Sequence, residues 1–254
     1  MIKTVLYGVN GKMGNVLRNK IKDSKEFTVV SGYNHENEDL NSYDFPIYND
    51  INQFSAEADV IIDFSHPNNL KTLLEHANKK KIPTVIATTG YNEQQLREIK
   101  DASKKVPILL SSNMSLGINV ITRVLRQLSS FLYNEDFDIE IIEKHHNKKI
   151  DSPSGTANLL ANTINMELNQ DNQYVHGRVG NETIRKKNEI GIHAVRGGTI
   201  PGEHQVIFAG DDEIIEFKHT ALSKDIFALG AMKAAKFISK QSEGLYTMDD
   251  LFKL

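Results

Sequence analysis

Between residues 3 and 110, short β-branched runs alternate with helical patterns, and this alternation limits what the chain can fold into more than any other feature. The strand-like runs cover residues 3–7, 27–31, 60–64, 83–87 and 107–110, and the helical patterns cover 13–22, 68–79 and 92–103. Strands separated by helices of this length read as βαβ units, which require a parallel sheet, right-handed crossovers and helices on both faces. After about residue 115 the order changes. A helix at 116–132 leads to a strand at 137–144, a polar loop and a helix at about 154–168. Three strand-like runs, 190–196, 204–209 and 213–219, then follow without intervening helices, which predicts an antiparallel or mixed sheet. A last helix at 225–239 is expected to return to the first domain. The expected domains are therefore 1–115, completed by 223–254, and 116–222.

A chain of 254 residues is long enough for two such cores. It contains no Cys, which excludes disulfides, thiolate metal sites, iron–sulfur clusters and a Cys nucleophile. The formal charge is −3, from 30 Lys and Arg against 33 Asp and Glu, with no long basic stripe, so nucleic acid is not an expected partner. The apolar runs are too short to span a bilayer. The first one leads directly into a glycine-rich loop and not into a small-residue cleavage site, which predicts a cytoplasmic protein.

That loop comprises Gly8, Val9, Asn10, Gly11, Lys12, Met13 and Gly14, between the first strand and the first helix. Glycines there allow a tight turn and a close approach of backbone to a pyrophosphate, which rests on N–H groups at a helix N-terminus. The spacing G-x-x-G-x-x-G is a relative of the usual dinucleotide fingerprint and predicts a Rossmann-like domain. Two further loops, Ala87-Thr88-Thr89-Gly90 and Ser111-Ser112-Asn113-Met114-Ser115, follow later strands, where small and hydroxylated residues offer space and hydrogen bonds to a nicotinamide. Taken singly, such residues also make turns and caps. The acidic residue expected about 20 positions after the glycines is either displaced to Glu36 or replaced by Asn34. Lys12 and His35 either meet a 2′-phosphate or are solvated, so the choice between NADH and NADPH stays open.

The chemically densest stretch, residues 143–157, joins a strand to a helix and reads EKHHNKKIDSPSGTA. Ser154, just after Pro153, stands where a helix N-cap belongs, so Ser-Gly-Thr should present N–H groups to an anion. A solvated charge run is one reading of the Lys-rich loop. A metal site fits poorly, because adjacent histidines on extended backbone point to opposite faces. A serine hydrolase fits worse, for want of the G-x-S-x-G elbow. The remaining reading is a substrate site in which His145 and Lys149 donate protons or stabilise charge.

This stretch resembles the H-H-x-x-K-x-D-A/S-P-S-G-T signature of the 4-hydroxy-tetrahydrodipicolinate reductase (dihydrodipicolinate reductase) family, and meets every defining position. The resemblance extends through the glycine loop, Ile62-Asp63-Phe64-Ser65, Ala87-Thr88-Thr89-Gly90, Ser112-Asn113-Met114-Ser115, Arg196-Gly197-Gly198-Thr199, Gly202-Glu203-His204 and Ser223-Lys224-Asp225. It implies reduction of a cyclic dicarboxylate, 4-hydroxy-tetrahydrodipicolinate, by NADH or NADPH with loss of water, in the diaminopimelate and lysine pathway. By matching positions it implies His145 as general acid/base, Lys149 as proton donor or charge stabiliser, and His146, Ser154, Gly155 and Thr156 as carboxylate ligands. Residues 8–13, 87–89 and 111–114 would carry the cofactor, with Lys224 a further basic position nearby. A homotetramer and an active site in the interdomain cleft are implied as well. No metal is expected. Two other readings are a different NAD(P)-dependent imine or keto-acid reductase, and a non-catalytic NAD(P)H-binding regulator.

Overall fold

The computed structural model describes residues 1–34, 43–50, 53, 57–169, 172–181 and 183–251. The chain divides into two compact units, residues 1–116 with 224–254, and residues 117–223. No helix among the described residues is long and apolar enough to cross a membrane.

In the first unit, strands β1 (Ile2–Tyr7), β2 (Phe27–Tyr33), β3 (Ile47–Tyr48), β4 (Val60–Asp63), β5 (Thr84–Ile86), β6 (Pro107–Leu110) and β12 (Gly244–Tyr246) form a sheet in the order β12-β6-β5-β4-β1-β2-β3. Every pairing in it is parallel. Period-two alternation sends Leu6, Ile62, Val85 and Leu109 to one face, with α1 (Lys12–Lys22) and α6 (Asp225–Ile238). Val5, Tyr7, Ile61, Ile86 and Ile108 go to the other, with α2 (Leu70–Lys80) and α3 (Glu93–Ala102). With both faces covered, the strands are near-continuous apolar runs, as a parallel sheet requires. Strand order reverses at β1 and β4, so the loops after these strands flank the crevice where open α/β sheets bind ligands.

The second unit holds most of α4 (Leu116–Asn134), then β7 (Asp138–His145), α5 (Gly155–Glu167), β8 (Gln173–Val175), β9 (Glu189–Arg196), β10 (Gly202–Ala209) and β11 (Ile214–Ala221). Its sheet has the order β11-β10-β7-β9-β8 and is mixed: β9 runs parallel to β7 and β8, while β10 is antiparallel to β7 and β11. One face, built from Ile139, Ile141, Ile190, Ile192, Val206 and Phe208, buries itself against Leu125 and Leu132 of α4 and Leu160, Ala161 and Ile164 of α5.

The sequence pattern locates the long elements to within one or two residues, and α6 does belong to the first unit. It misses β3, β8 and β12, because two or three residues carry no usable periodicity and β8 lies in a polar stretch. The three strands after α5 are also not consecutive neighbours, since β7 inserts between β9 and β10.

Close backbone approach requires a glycine at position 14. A Cβ on Gly14 would lie 2.2 Å from the carbonyl oxygen of Gly8 and 2.6 Å from that of Val9, both backbone atoms. A Cβ on Gly155 would meet nothing within 4 Å. Gly14→Ala should therefore destabilise the protein by about 1–3 kcal/mol through overpacking, read as a lower melting temperature. Gly155→Ala should melt like the parent, and equal melting of both variants would contradict the loop geometry.

Candidate functional site

In the first unit, Gly8 takes φ +75°, and a Cβ there would lie 2.5 Å from the carbonyl oxygen of Phe64, so the loops after β1 and β4 meet backbone to backbone. The N-cap of α1, Gly11, makes no side-chain capping bond. A helix start without a side-chain cap, beside a turn that excludes side chains, fits a dinucleotide pyrophosphate, held by backbone N–H groups and the positive helix end. Val9 is fully buried and its side chain packs over Gly32. Met114 is likewise committed to the apolar core. Lys12 is exposed, Met13 packs against the core, and Ala87 and Thr88 are buried while Thr89 is exposed. Ser111 Oγ donates to Asn113 O at 2.9 Å and accepts from Asn113 N at 3.2 Å, while Asn113 Oδ1 accepts from Ser115 N at 2.8 Å, which fixes this loop internally.

Around Asn10 the structure adds residues that the sequence did not single out. Tyr43 OH donates to Asn10 Oδ1 at 2.8 Å, and the Arg18 guanidinium sits 4.4 Å from the Tyr43 ring centroid and donates to Asn15 Oδ1. In the sequence Arg18 reads as an ordinary surface cation of α1, and nothing local links it to Tyr43. Asn34 follows β2 and donates its N–H to Tyr48 O. His35 and Glu36 lie outside the described residues.

The second unit assembles its site at the end of β7. Along this strand alternate residues point inward, so the buried series Ile139, Ile141 continues as Glu143 and His145. The register of β9 sets Arg196 opposite His145, and that of β10 sets His204 opposite Glu143. The Glu143 side chain is 0% exposed and accepts four hydrogen bonds: His145 Nδ1 at 2.6 Å, Arg196 Nη1 and Nη2 each at 2.7 Å, and Ser154 N at 2.9 Å. Burial alone would raise this carboxyl group, but the hydrogen bonds from Arg196, His145 and Ser154 outweigh it and hold Glu143 below the ordinary carboxylate range.

Ser154 is the N-cap of α5, its Oγ accepting from Ala157 N at 3.1 Å and lying 2.8 Å from His204 Nε2. Burial, then the charge of nearby His145, pushes His204 down to about 4, so it is neutral at physiological pH. The hydroxyl and N–H of Ser154 are thus engaged within the protein; Gly155 is exposed, a Cβ on it would touch nothing, and its N–H is hydrogen-bonded to the Asp151 carboxylate. Lys149 Nζ donates to Asp151 Oδ1 at 2.7 Å and holds that carboxyl low. Arg196 Nη2 also donates to Asp151 O at 2.8 Å, and Asn147 N and Gly197 N tie residues 145–147 to 197–198. The buried Nδ1 of His146 has no hydrogen-bond partner among the described residues.

His145, His146, Lys149, Ser154, Gly155 and Thr156 therefore all belong to one strand–loop–helix segment of one unit. In the sequence Glu143 and His204 stand only as neighbours of the motifs; the available signal was the spacing of Glu143, two residues before His145 on the same strand, and the place of His204 on a further strand. Arg196 needed the β7–β9 register, which no local pattern supplies.

Residues 2–114 match the family model described as dihydrodipicolinate reductase, N-terminus, and residues 117–252 match dihydrodipicolinate reductase, C-terminus. Over the full chain the sequence is 51% identical to the 4-hydroxy-tetrahydrodipicolinate reductase of Caldanaerobacter subterraneus subsp. tengcongensis, covering 100% of this chain and 99% of that one. It is 49% identical to the enzyme of the same name from Clostridium tetani, covering 98% and 96%. Among solved structures, the dipicolinate-bound dihydrodipicolinate reductase from Paenisporosarcina sp. TG-14 shares the fold, with a TM-score of 0.82, 21% identity and 97% coverage of both chains. The chain belongs to the dihydrodipicolinate reductase family, NAD(P)H-dependent oxidoreductases of the lysine and diaminopimelate pathway.

Proposed function

We propose that this chain reduces 4-hydroxy-tetrahydrodipicolinate to tetrahydrodipicolinate, releasing water and oxidising NADH or NADPH, through the residues assembled at the end of β7. The observation that carries this reading is the segment 145–156, in which an imidazole, an ammonium and a helix N-terminus that already holds the Asp151 carboxylate occur together in the unit that matches the family's C-terminal model. Residues 1–115 with 223–254 serve as the dinucleotide-binding domain, and 116–222 as the substrate-binding and oligomerisation domain.

Gly8, Val9, Asn10, Gly11, Lys12 and Met13 present backbone to the pyrophosphate, while Ala87, Thr88, Thr89, Ser111, Ser112, Asn113 and Met114 border the nicotinamide. When bound, the reduced nicotinamide supplies the hydride. The substrate's two carboxylates call for cationic and N–H donors. Gly155 and Thr156 at the start of α5, with Ser154 shaping the turn, bind one of them, and His146 adds a ring nitrogen. Lys149 exchanges its Asp151 partner for the substrate and stabilises negative charge as it develops. His145 delivers the proton to the ring carbon and takes part in the loss of the hydroxyl as water. The dicarboxylate in the Paenisporosarcina structure, which shares this fold, supports the assignment of substrate class.

A homotetramer is proposed from the family resemblance, and Val195 and Ile214 stand exposed on the second unit's sheet. A cytoplasmic location accords with a biosynthetic reductase whose described helices include none that crosses a membrane.

Nicotinamide oxidation with freshly generated substrate tests the reading. His145→Gln and Lys149→Ala should each lower kcat by about 10²–10⁴-fold, the range for a positioned proton-transfer group, and parental rates in both would reject the roles. For cofactor choice, Asn34→Glu should move the kcat/KM ratio toward NADH, because a carboxylate there accepts the ribose hydroxyls and repels a 2′-phosphate. An unchanged ratio in that variant and in Lys12→Ala would remove both residues from nucleotide selection.

A further inference from the structure

Within the second unit one buried ionised group touches no solvent and has no step in the reaction as written above. The Glu143 side chain is fully buried, so it cannot meet substrate or cofactor. It is nevertheless ionised, bound through both oxygens to Arg196 and through one of them to His145. We propose that Glu143, clamped by Arg196 and the Ser154 N–H, is the positioning residue for His145: it binds the Nδ1–H of the imidazole and so reserves Nε2 for proton exchange with the substrate.

An ionised carboxylate only accepts hydrogen bonds, so at 2.6 Å the proton between these groups belongs to His145 Nδ1. Two donors on each oxygen fill the acceptor sites of Glu143, which leaves it no capacity to act as a base toward anything else. Arg196 keeps the carboxylate charged despite burial, and its second bond to Asp151 O anchors the loop that carries Lys149. The other ring nitrogen is kept accessible from β10: a Cβ on Gly202 would stand 3.1 Å from His145 Nε2, so the absence of a side chain there leaves room beside the reacting atom. His204 meets the ring edge-on, with centroids 5.1 Å apart, and limits its rotation. A carboxylate that selects the tautomer of a working histidine from behind is a recurrent arrangement in both metal and acid/base sites.

The inference rests on the reading of His145 as the proton donor, and the test separates the two. Protein labelled with ¹⁵N-histidine is examined by long-range ¹H–¹⁵N NMR, with His145→Gln identifying the resonances of residue 145. Steady-state kinetics and calorimetry with pyridine-2,6-dicarboxylate accompany it. In the parent, the neutral ring should carry its proton on Nδ1. Glu143→Gln offers an amide N–H to that nitrogen and should shift the ring toward the Nε2–H form, lowering kcat about 10²-fold while KM for the nucleotide and affinity for pyridine-2,6-dicarboxylate stay close to parental. Because Glu143→Gln leaves a cation under-paired, the double variant Glu143→Gln/Arg196→Met is measured alongside, and it should keep the altered tautomer and the low kcat.

An Nε2–H ring in the parent would overturn the proposal, as would an unchanged tautomer and kcat in both variants. Parallel loss of kcat and dicarboxylate affinity in both variants, with the ring tautomer of residue 145 unchanged, would also overturn it, by assigning Glu143 a merely structural role. A parental rate in His145→Gln would instead reject the proton-donor reading, while the NMR still reports whether Glu143 sets the ring.

Discussion

The second unit is organised around one buried anion. The Glu143 carboxylate joins β7 to β9 through Arg196, to the start of α5 through the Ser154 N–H, and to His145 two residues along its own strand. A carboxylate removed from water is tolerated only when its lone pairs are filled, and here four donors fill them. Removing one partner of such a pair leaves an uncompensated charge, at a cost of about 3–5 kcal/mol in typical buried cases. The sign of its pH dependence follows from its depressed titration. The stabilisation is fully present above the unfolded carboxyl value of about 4.3 and is lost as pH falls from there through the folded value. Acid thus releases the strand, the helix start and the imidazole together.

The first unit solves a different problem with backbone. At the reversal of strand order, Gly8 and Gly14 bring the turn, the loop after β4 and the first turn of α1 within contact of one another. Val9 turns its side chain inward, and three of the seven positions of the glycine loop carry none. Recognition of a phosphate there depends on N–H direction and helix polarity and makes little demand on side-chain chemistry.

What could be read directly from the residues follows the same division. Alternating βαβ order, a glycine triplet between strand and helix, and a Pro-Ser-Gly-Thr helix start are local patterns, so both domains, the positions of their loops and the His145–Thr156 segment were legible. Contacts between distant strands were not. Arg196 lies 53 residues from the carboxylate it grips, and His204 lies 50 residues from Ser154. Only the sheet order with β7 between β9 and β10 brings them together. Ser154 illustrates the limit from the other side: its residue type marks both a ligand and a cap, and the partners of its Oγ, Ala157 N and His204, are visible only after folding. The shortest strands escaped for a simpler reason, having too few residues to express a period.

On the function proposed above, the Glu143-anchored loop and the start of α5 bind two carboxylates on one small ring. Calorimetric titration of the intact protein with pyridine-2,6-dicarboxylate and, in parallel, with pyridine-2-carboxylate tests it most directly. Expected are one site per chain for the dicarboxylate, affinity falling as salt is raised, and at least about tenfold weaker binding of the monocarboxylate, the difference for about 1.4 kcal/mol from a single charged contact. Equal affinity for the two ligands, or dicarboxylate binding undiminished in Lys149→Ala, would contradict it.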